Sequence, residues 1–265
     1  MINGEKFAVV LGGGASFGFA HLGVLRFLSE LNVVPDIITG TSIGSLIGGV
    51  YALGMQEDEI MERVENFDRN QVLDKKIIPF FGESFLYSKK IDDFLQELFG
   101  PQLIENCKIA FASTAVDINN GKLKYFTKGS LWQAVRASIS FPGAFLPFEI
   151  DGIKYIDGGV MDNLPISIAK EMGAKKVLAV NVVDYSVKLG QNKNILQSLI
   201  NALSLAQKEL IRLKTKADLT LNIKLKDVDM LKFKKQDILN FIKQGYIQAK
   251  RKRTQILKML NLVKD

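Results

Sequence analysis

The chain has 265 residues, 47% hydrophobic and 24% charged, with a formal charge of +7; this composition excludes a disordered polypeptide and suits one large α/β domain or two small ones. It contains a single cysteine, Cys107, and a single histidine, His21. An internal disulfide framework and a four-ligand Cys/His zinc site are therefore excluded, and a Ser/His/Asp triad could draw only on His21.

In chain order, Lys6–Leu11 reads as a buried strand that runs into Gly12-Gly13-Gly14 and then a helix over Gly18–Leu31. Asp36–Thr39 is a second apolar strand, followed by Gly40-Thr41-Ser42-Ile43-Gly44 and a helix over Ile43–Leu53. Helical patterns continue at Asp58–Phe67 and at Lys89–Phe99, the latter with Ser88 as cap and Gly100 as stop. Strands at Lys108–Val116 and Lys122–Phe126 flank Asn119-Asn120-Gly121, a hairpin signal repeated at Asp151-Gly152. A helix over Leu131–Ser138, another over Ile166–Met172 after Pro165, and a strand over Lys176–Val182 complete this part. Alternating strands and helices with near-continuous apolar strands predict an α/β fold: a mostly parallel central sheet with helices on both faces.

Residues 186–265 differ in character. They carry 18 Lys and Arg against 6 Asp and Glu, while residues 1–185 are slightly acidic. A helix over Asn194–Lys216 repeats Ile195, Leu199, Leu203, Ala206, Leu210 and Leu213, and a strand over Leu219–Ile223 follows. A second long helix over Gln236–Leu262 includes the four cations Lys250-Arg251-Lys252-Arg253. The expected division is thus a core over 1–185 and a basic, mostly helical part over 186–265 packed on the same domain. No motif with interleaved aromatic residues accompanies the cations, so nucleic acid is not the expected partner; a solvated face or an anionic membrane surface is. Phe7–Leu25 and Ile37–Gln56 lack formal charge over the length of a membrane span, but both are rich in Gly, Ser and Thr and read as strand, turn and helix. The amino terminus runs directly into a strand and carries an acid, so a cytoplasmic chain is expected, with peripheral contact at the inner face of the membrane.

The chemistry concentrates in three segments. Gly40-x-Ser42-x-Gly44, between an apolar strand and a helix, has the pattern and the context of a nucleophile elbow, in which small neighbours permit a strained serine at the sheet edge. Gly12-Gly13-Gly14 can turn backbone N–H groups toward an anion. With Gly18 and the downstream Asp36 it also resembles a dinucleotide fingerprint, although Asp36 precedes the second strand rather than following it. Paired with a serine elbow, the oxyanion reading is favoured. His21 sits in an apolar helical context that suits a packed residue, which leaves a carboxylate as base. Asp157-Gly158-Gly159 places an acid at a strand end with two glycines beside it; Asp151 suits the hairpin turn, and Asp162 lies beyond the glycines.

Four ordered blocks then carry a resemblance: the glycine loop with Gly18-Phe-Ala-His-Leu-Gly-Val-Leu, the elbow Gly-Thr-Ser-Ile-Gly, Ala137-Ser-Ile-Ser-Phe-Pro-Gly-Ala-Phe, and Asp157-Gly-Gly-Val-Met-Asp-Asn-Leu-Pro. Over residues 6–185 the chain resembles the patatin-like phospholipases, the small bacterial members in particular. The resemblance implies a three-layer α/β/α fold, hydrolysis of lipid acyl esters by a Ser/Asp dyad, and no metal or organic cofactor. It implies Ser42 as nucleophile, Asp157 as base, and the amides of Gly12, Gly13 and Gly14 as oxyanion hole. Phe17 stands where relatives usually carry Arg or Lys, so a basic contact near the site is absent. The alternatives are a dinucleotide-binding oxidoreductase and a catalytically weak lipid-binding or regulatory module.

Overall fold

Strand β1 (Phe7–Leu11) is buried on both faces: Phe7, Val9 and Leu11 enter one hydrophobic cluster, and Ala8 and Val10 enter another. Side chains alternate across a strand, so a strand apolar at every position needs cover on both sides. The structure, a computed structural model, describes residues 4–66, 89–183, 195–214, 216–225 and 233–263. The remaining strands are β2 (Ile37–Thr41), β3 (Ala110–Asp117), β4 (Lys122–Phe126), β5 (Phe148–Ile150), β6 (Ile153–Asp157), β7 (Lys176–Asn181) and β8 (Leu219–Asn222). Among the described residues they form an eight-stranded sheet in the order β5-β6-β3-β2-β1-β7-β8, with β4 paired to β3. Strands β3, β2, β1, β7 and β8 run parallel, and the antiparallel pairs are the hairpins β3–β4 and β5–β6 and the pairing of β6 with β3.

The helices are α1 (Ala20–Glu30), α2 (Ile43–Leu53), α3 (Glu57–Glu65), α4 (Lys89–Phe99), α5 (Leu131–Ser138), α6 (Ile166–Glu171), α7 (Ile195–Leu213), α8 (Lys235–Arg251) and α9 (Arg253–Met259). The larger cluster joins one face of the sheet to α1, α2, α4, α5, α8 and α9. On the other face, Ile166 and Ala169 of α6 and Ile211 of α7 cover Ala8, Val10, Ile37, Val177 and Ala179. This is the three-layer α/β/α architecture. Helix α8 lies directly on α1, where a Cβ at Gly23 would come within 1.9 Å of the Ile242 carbonyl oxygen and one at Gly245 within 2.0 Å of that of Ala20. Only glycines permit that approach of two helix backbones.

Three expectations change. The helix expected over Gln236–Leu262 is broken at Lys252 into α8 and α9, which lets Ile256 and Leu260 fold onto the core beside β8. In α7 the leucine repeat does not face inward. Asn201, Ser204 and Gln207 are buried, whereas Leu199, Leu205 and Leu213 are exposed, Leu213 to 73%. The inward face meets a polar turn at the end of β6, and polar side chains satisfy it where leucine could not. The helix expected to begin at Gly18 is preceded by a 3-10 segment, Ala15–Phe19. The expected cap Ser88 and the helix end at Phe67 lie outside the described residues.

Candidate active site at the end of β2

Ser42 follows β2 and precedes α2 with φ 56 and ψ −126, a conformation that side chains other than glycine rarely adopt. The elbow is held sterically. A Cβ at Gly40 would lie 2.4 Å from the Gly44 carbonyl oxygen, and one at Gly44 would lie 2.1 Å from that of Leu11. The N–H of Ser42 donates to the buried Ser138 Oγ at 2.8 Å, which ties the elbow to the end of α5. The hydroxyl of Ser42 stands above the N-terminal end of α2, where the helix dipole favours negative charge.

Asp157 is the last residue of β6 and is 2% exposed. Its Oδ1 accepts the Gly159 N–H at 2.7 Å, while among the described residues Oδ2, also buried, has no hydrogen-bond partner. Burial pushes the carboxyl up to about 6 from its ordinary 3.8, against the smaller opposing influences of the Ser42 hydroxyl and the Gly159 N–H. The serine is thus near enough to stabilise the carboxylate, yet the contact is looser than a formed hydrogen bond. The N–H of Asp157 donates to the Ser140 carbonyl, and Ser140 Oγ is held by the buried Arg136, itself paired with Asp92.

Asp162 is equally buried but differently occupied. Its Oδ1 pairs with Lys214 Nζ at 3.1 Å, its Oδ2 accepts from Tyr125 Oη at 2.7 Å, and its carbonyl accepts from Thr41 Oγ1. Its charge is spent on holding the turn. Asp151 has φ 50 and occupies the β5–β6 hairpin turn.

The glycine loop lies against the elbow: a Cβ on Gly13 would be 3.1 Å from that of Ser42. The three amides expected to act alike are not equivalent. The Gly12 N–H donates to the Val180 carbonyl at 3.0 Å, extending the β1–β7 ladder, and the Gly13 N–H reaches the Asn163 carbonyl at a long 3.4 Å. Among the described residues no hydrogen bond engages the Gly14 N–H. The Gly12 N–H is thus engaged by the sheet in this structure. Asn163 Nδ2 also donates to the Gly13 carbonyl at 3.3 Å, so the turn after Asp157 and the glycine loop are one unit.

His21 is fully buried, and its Nε2 lies 2.8 Å from the Gly12 carbonyl oxygen, to which it donates as the neutral ring. Burial lowers its pKa to about 4. It anchors the loop from beneath. Phe17, in place of the usual basic residue, packs edge-on against Phe241 of α8 with ring centroids 5.3 Å apart. Asp36 accepts the Phe7 N–H at 2.9 Å at the opposite end of β1 from the glycine loop. Five residues of strand separate the two ends by roughly 15 Å, so no ribose bound at the loop could reach Asp36 and the dinucleotide alternative loses its acid. Among the described residues no cluster of His, Cys, Asp and Glu could hold a metal, and no helix is long and apolar enough to cross a membrane.

Two contacts from outside the expected set reach this site. Gln207 Nε2 in α7 donates to the Gly159 carbonyl at 2.7 Å, and Lys214 is the cation on Asp162. Neither was legible in the sequence, because the leucine repeat of α7 pointed to the opposite face as the buried one. The pairing of Gln207 and Lys214 seven residues apart, two helical turns on one face, was the signal available.

A family profile described as patatin-like phospholipase matches residues 9–170. A protein named lysophospholipase NTE1 from Scheffersomyces stipitis is 32% identical over 188 residues, which are 69% of this chain and 12% of that protein. The mouse patatin-like phospholipase domain-containing protein 6 is 33% identical over 187 residues, 69% of this chain and 14% of that protein. An uncharacterized NTE family protein of Mycobacterium bovis is 33% identical over 177 residues, 67% of this chain and 49% of that protein. The chain thus spans at most about half the length of these relatives. Among solved structures, VipD from Legionella pneumophila shares the fold with a TM-score of 0.58 at 14% identity, covering 97% of this chain and 67% of that one.

Proposed function

The chain belongs to the patatin-like phospholipase family, and from that premise we propose that it is a serine hydrolase that cleaves fatty acyl esters of lipids, with Ser42 as nucleophile and Asp157 as base. The observation that carries this reading is a buried carboxylate, free of any cation among the described residues, beside a serine on a strained elbow. Asp157 takes the Ser42 proton as Oγ attacks the ester carbonyl. The oxyanion accepts from the Gly14 N–H and from that of Gly13, whose long bond to Asn163 is readily exchanged. Collapse expels the alcohol, which leaves with the proton from Asp157. A water molecule deprotonated by Asp157 then attacks the acyl-enzyme, and the released Ser42 recovers the proton as the fatty acid departs. Ser42→Ala, assayed with a chromogenic acyl ester and a lipid panel beside the wild type, is expected to abolish turnover; undiminished turnover would overturn the reading.

The basic part supports an anionic membrane as the surface on which the substrate is met. Arg251, Lys252 and Arg253 are exposed and make no ion pair among the described residues, and residues 238–263 contain no acid. Gln248 is bonded to both backbone groups of Lys224, just after β8, so this end of α8 sits at the sheet edge from which Ser42 also emerges. Each cation near an anionic surface contributes about 1 kcal/mol, and the cytoplasmic leaflet carries such charge. Co-sedimentation of the triple Ala variant with anionic vesicles should fall well below wild type and weaken with salt; salt-independent binding speaks against it.

A further inference from the structure

Helix α7 is amphipathic in the reverse of the usual sense. Where it meets the turn after β6 its inner face is polar: Asn201, Ser204 and Gln207 are buried and Lys214, just beyond its end, reaches the buried Asp162, while Ile211 meets the apolar face of the sheet. Its outer face carries Leu199, Ala202, Ala206 and Leu213, all exposed along one stripe that only Glu209, paired with Arg212, interrupts, and Leu205 is exposed beside it. A helix in a water-soluble protein ordinarily turns such a stripe inward. An exposed apolar stripe of this kind marks a contact surface.

The inner face fixes where that stripe sits. Gln207 holds the Gly159 carbonyl, and the Gly159 N–H holds Asp157 Oδ1. Two turns on, Lys214 holds the far end of the same turn through Asp162, and Asn163 ties that turn to Gly13. The helix that carries the exposed leucines is therefore anchored directly to the turn that carries Asp157. Of the cations over residues 208–216, Arg212 pairs with Glu209 at 2.8 Å and Lys214 with Asp162, while Lys208 and Lys216 are exposed and make no ion pair among the described residues. Apolar side chains flanked by cations fit the boundary between acyl chains and anionic headgroups.

We infer that α7 is an interfacial helix: its outer leucine face docks on a lipid bilayer, and Gln207 on its inner face positions the turn that carries Asp157. Gln207 touches no substrate and acts as a positioning residue. This inference rests on the proposed lipid hydrolase reading for its substrate and names the surface on which that site works. A bilayer that seats the outer face also steadies the inner one, so vesicle substrate is turned over with a better-held base than dissolved substrate.

The test uses the full chain and two classes of variant. Leu199→Glu with Leu213→Glu alters only exposed positions; co-sedimentation with vesicles of mixed phosphatidylcholine and phosphatidylglycerol should fall at least tenfold, with hydrolysis of vesicle lipid falling in parallel and turnover of a short-chain soluble ester unchanged. Retained vesicle binding overturns the docking face. Gln207→Leu, with the near-isosteric Gln207→Glu as a second variant that cannot donate when ionised, should lower kcat on the soluble ester about tenfold at similar KM. It should also move the acidic limb of the pH profile upward, because the Gly159 N–H no longer holds Asp157 Oδ1 firmly. An unmoved limb and full kcat in a folded Gln207 variant overturn the positioning role. Vesicle binding by Ser42→Ala separates the two readings: if Ser42→Ala stays active the dyad fails, whereas the docking face is judged by sedimentation alone.

Discussion

Asp157→Asn tests the proposed base in a way that no surface change can, because activity and stability are expected to move in opposite directions. In the folded chain the carboxyl titrates at about 6, raised from an ordinary 3.8 chiefly by burial. For an acid whose folded pKa is raised, the native state binds its proton more tightly than the unfolded chain does. Its contribution to stability is therefore intact below pH 3.8, declines as pH rises through 6, and levels off above that. About two units at 1.36 kcal/mol each give ~3 kcal/mol of instability at neutral pH. Asparagine preserves the shape and the acceptor for the Gly159 N–H while removing the charge. Burying its amide costs roughly 1 kcal/mol, so the net gain is about 2 kcal/mol, or roughly 4 to 8 °C in Tm for a chain of this size. Loss of the base should lower kcat by about 10² to 10⁴-fold. Urea unfolding of wild type and variant at several pH values, beside ester hydrolysis, reads both quantities, and the stability gap should close as pH falls toward 4. A variant that is less stable than wild type at pH 8, or one that keeps its turnover, would refute the assignment of strain and catalysis to the same carboxylate.

For the wild type, kcat/KM should rise with pH through about 6 and stay level above it, since His21, lowered to about 4 by burial, adds no limb near neutrality. His21→Phe should leave the Gly12 carbonyl without its donor and cost about 1 to 3 kcal/mol in urea unfolding, with the limb near 6 unchanged in whatever activity remains. Disappearance of that limb would make the histidine, not Asp157, the titrating base. Gly23→Ala and Gly245→Ala each drive a methyl group into a helix backbone oxygen at about 2 Å. Either should destabilise by more than 3 kcal/mol, at the upper end for single substitutions, whereas Gly121→Ala, with open space around a positive φ, should cost about 1 kcal/mol.

The elements nearest the chemistry were legible because their signals are local. Consecutive apolar residues mark β1 and β2 as strands covered on both faces, and the small residues around Ser42 are required by contacts made within a few residues or by adjacent strands. The hairpin turns at Asn119-Asn120-Gly121 and Asp151-Gly152 announced the antiparallel pairs at the β3 side of the sheet. With a single histidine in the chain, set in an apolar helical context, a carboxylate is the remaining candidate base. The helix break at Lys252 and the reversal of α7 were not legible, because nothing in their own sequences resists the simpler pattern.

What the sequence by itself determined is the alternation of strands and helices and the chemical types available at the sheet edge: a serine, acids, a glycine loop and no second histidine. Two buried carboxylates become different from one another only through tertiary contacts. Asp157 and Asp162 lie five residues apart in the same turn, yet Lys214 and Tyr125, distant in sequence, pair with and donate to one, while among the described residues the other faces Ser42 with an unpartnered oxygen. Desolvation and charge pairing depend on what the rest of the chain brings to a point in space, and periodicity along a segment carries no record of that.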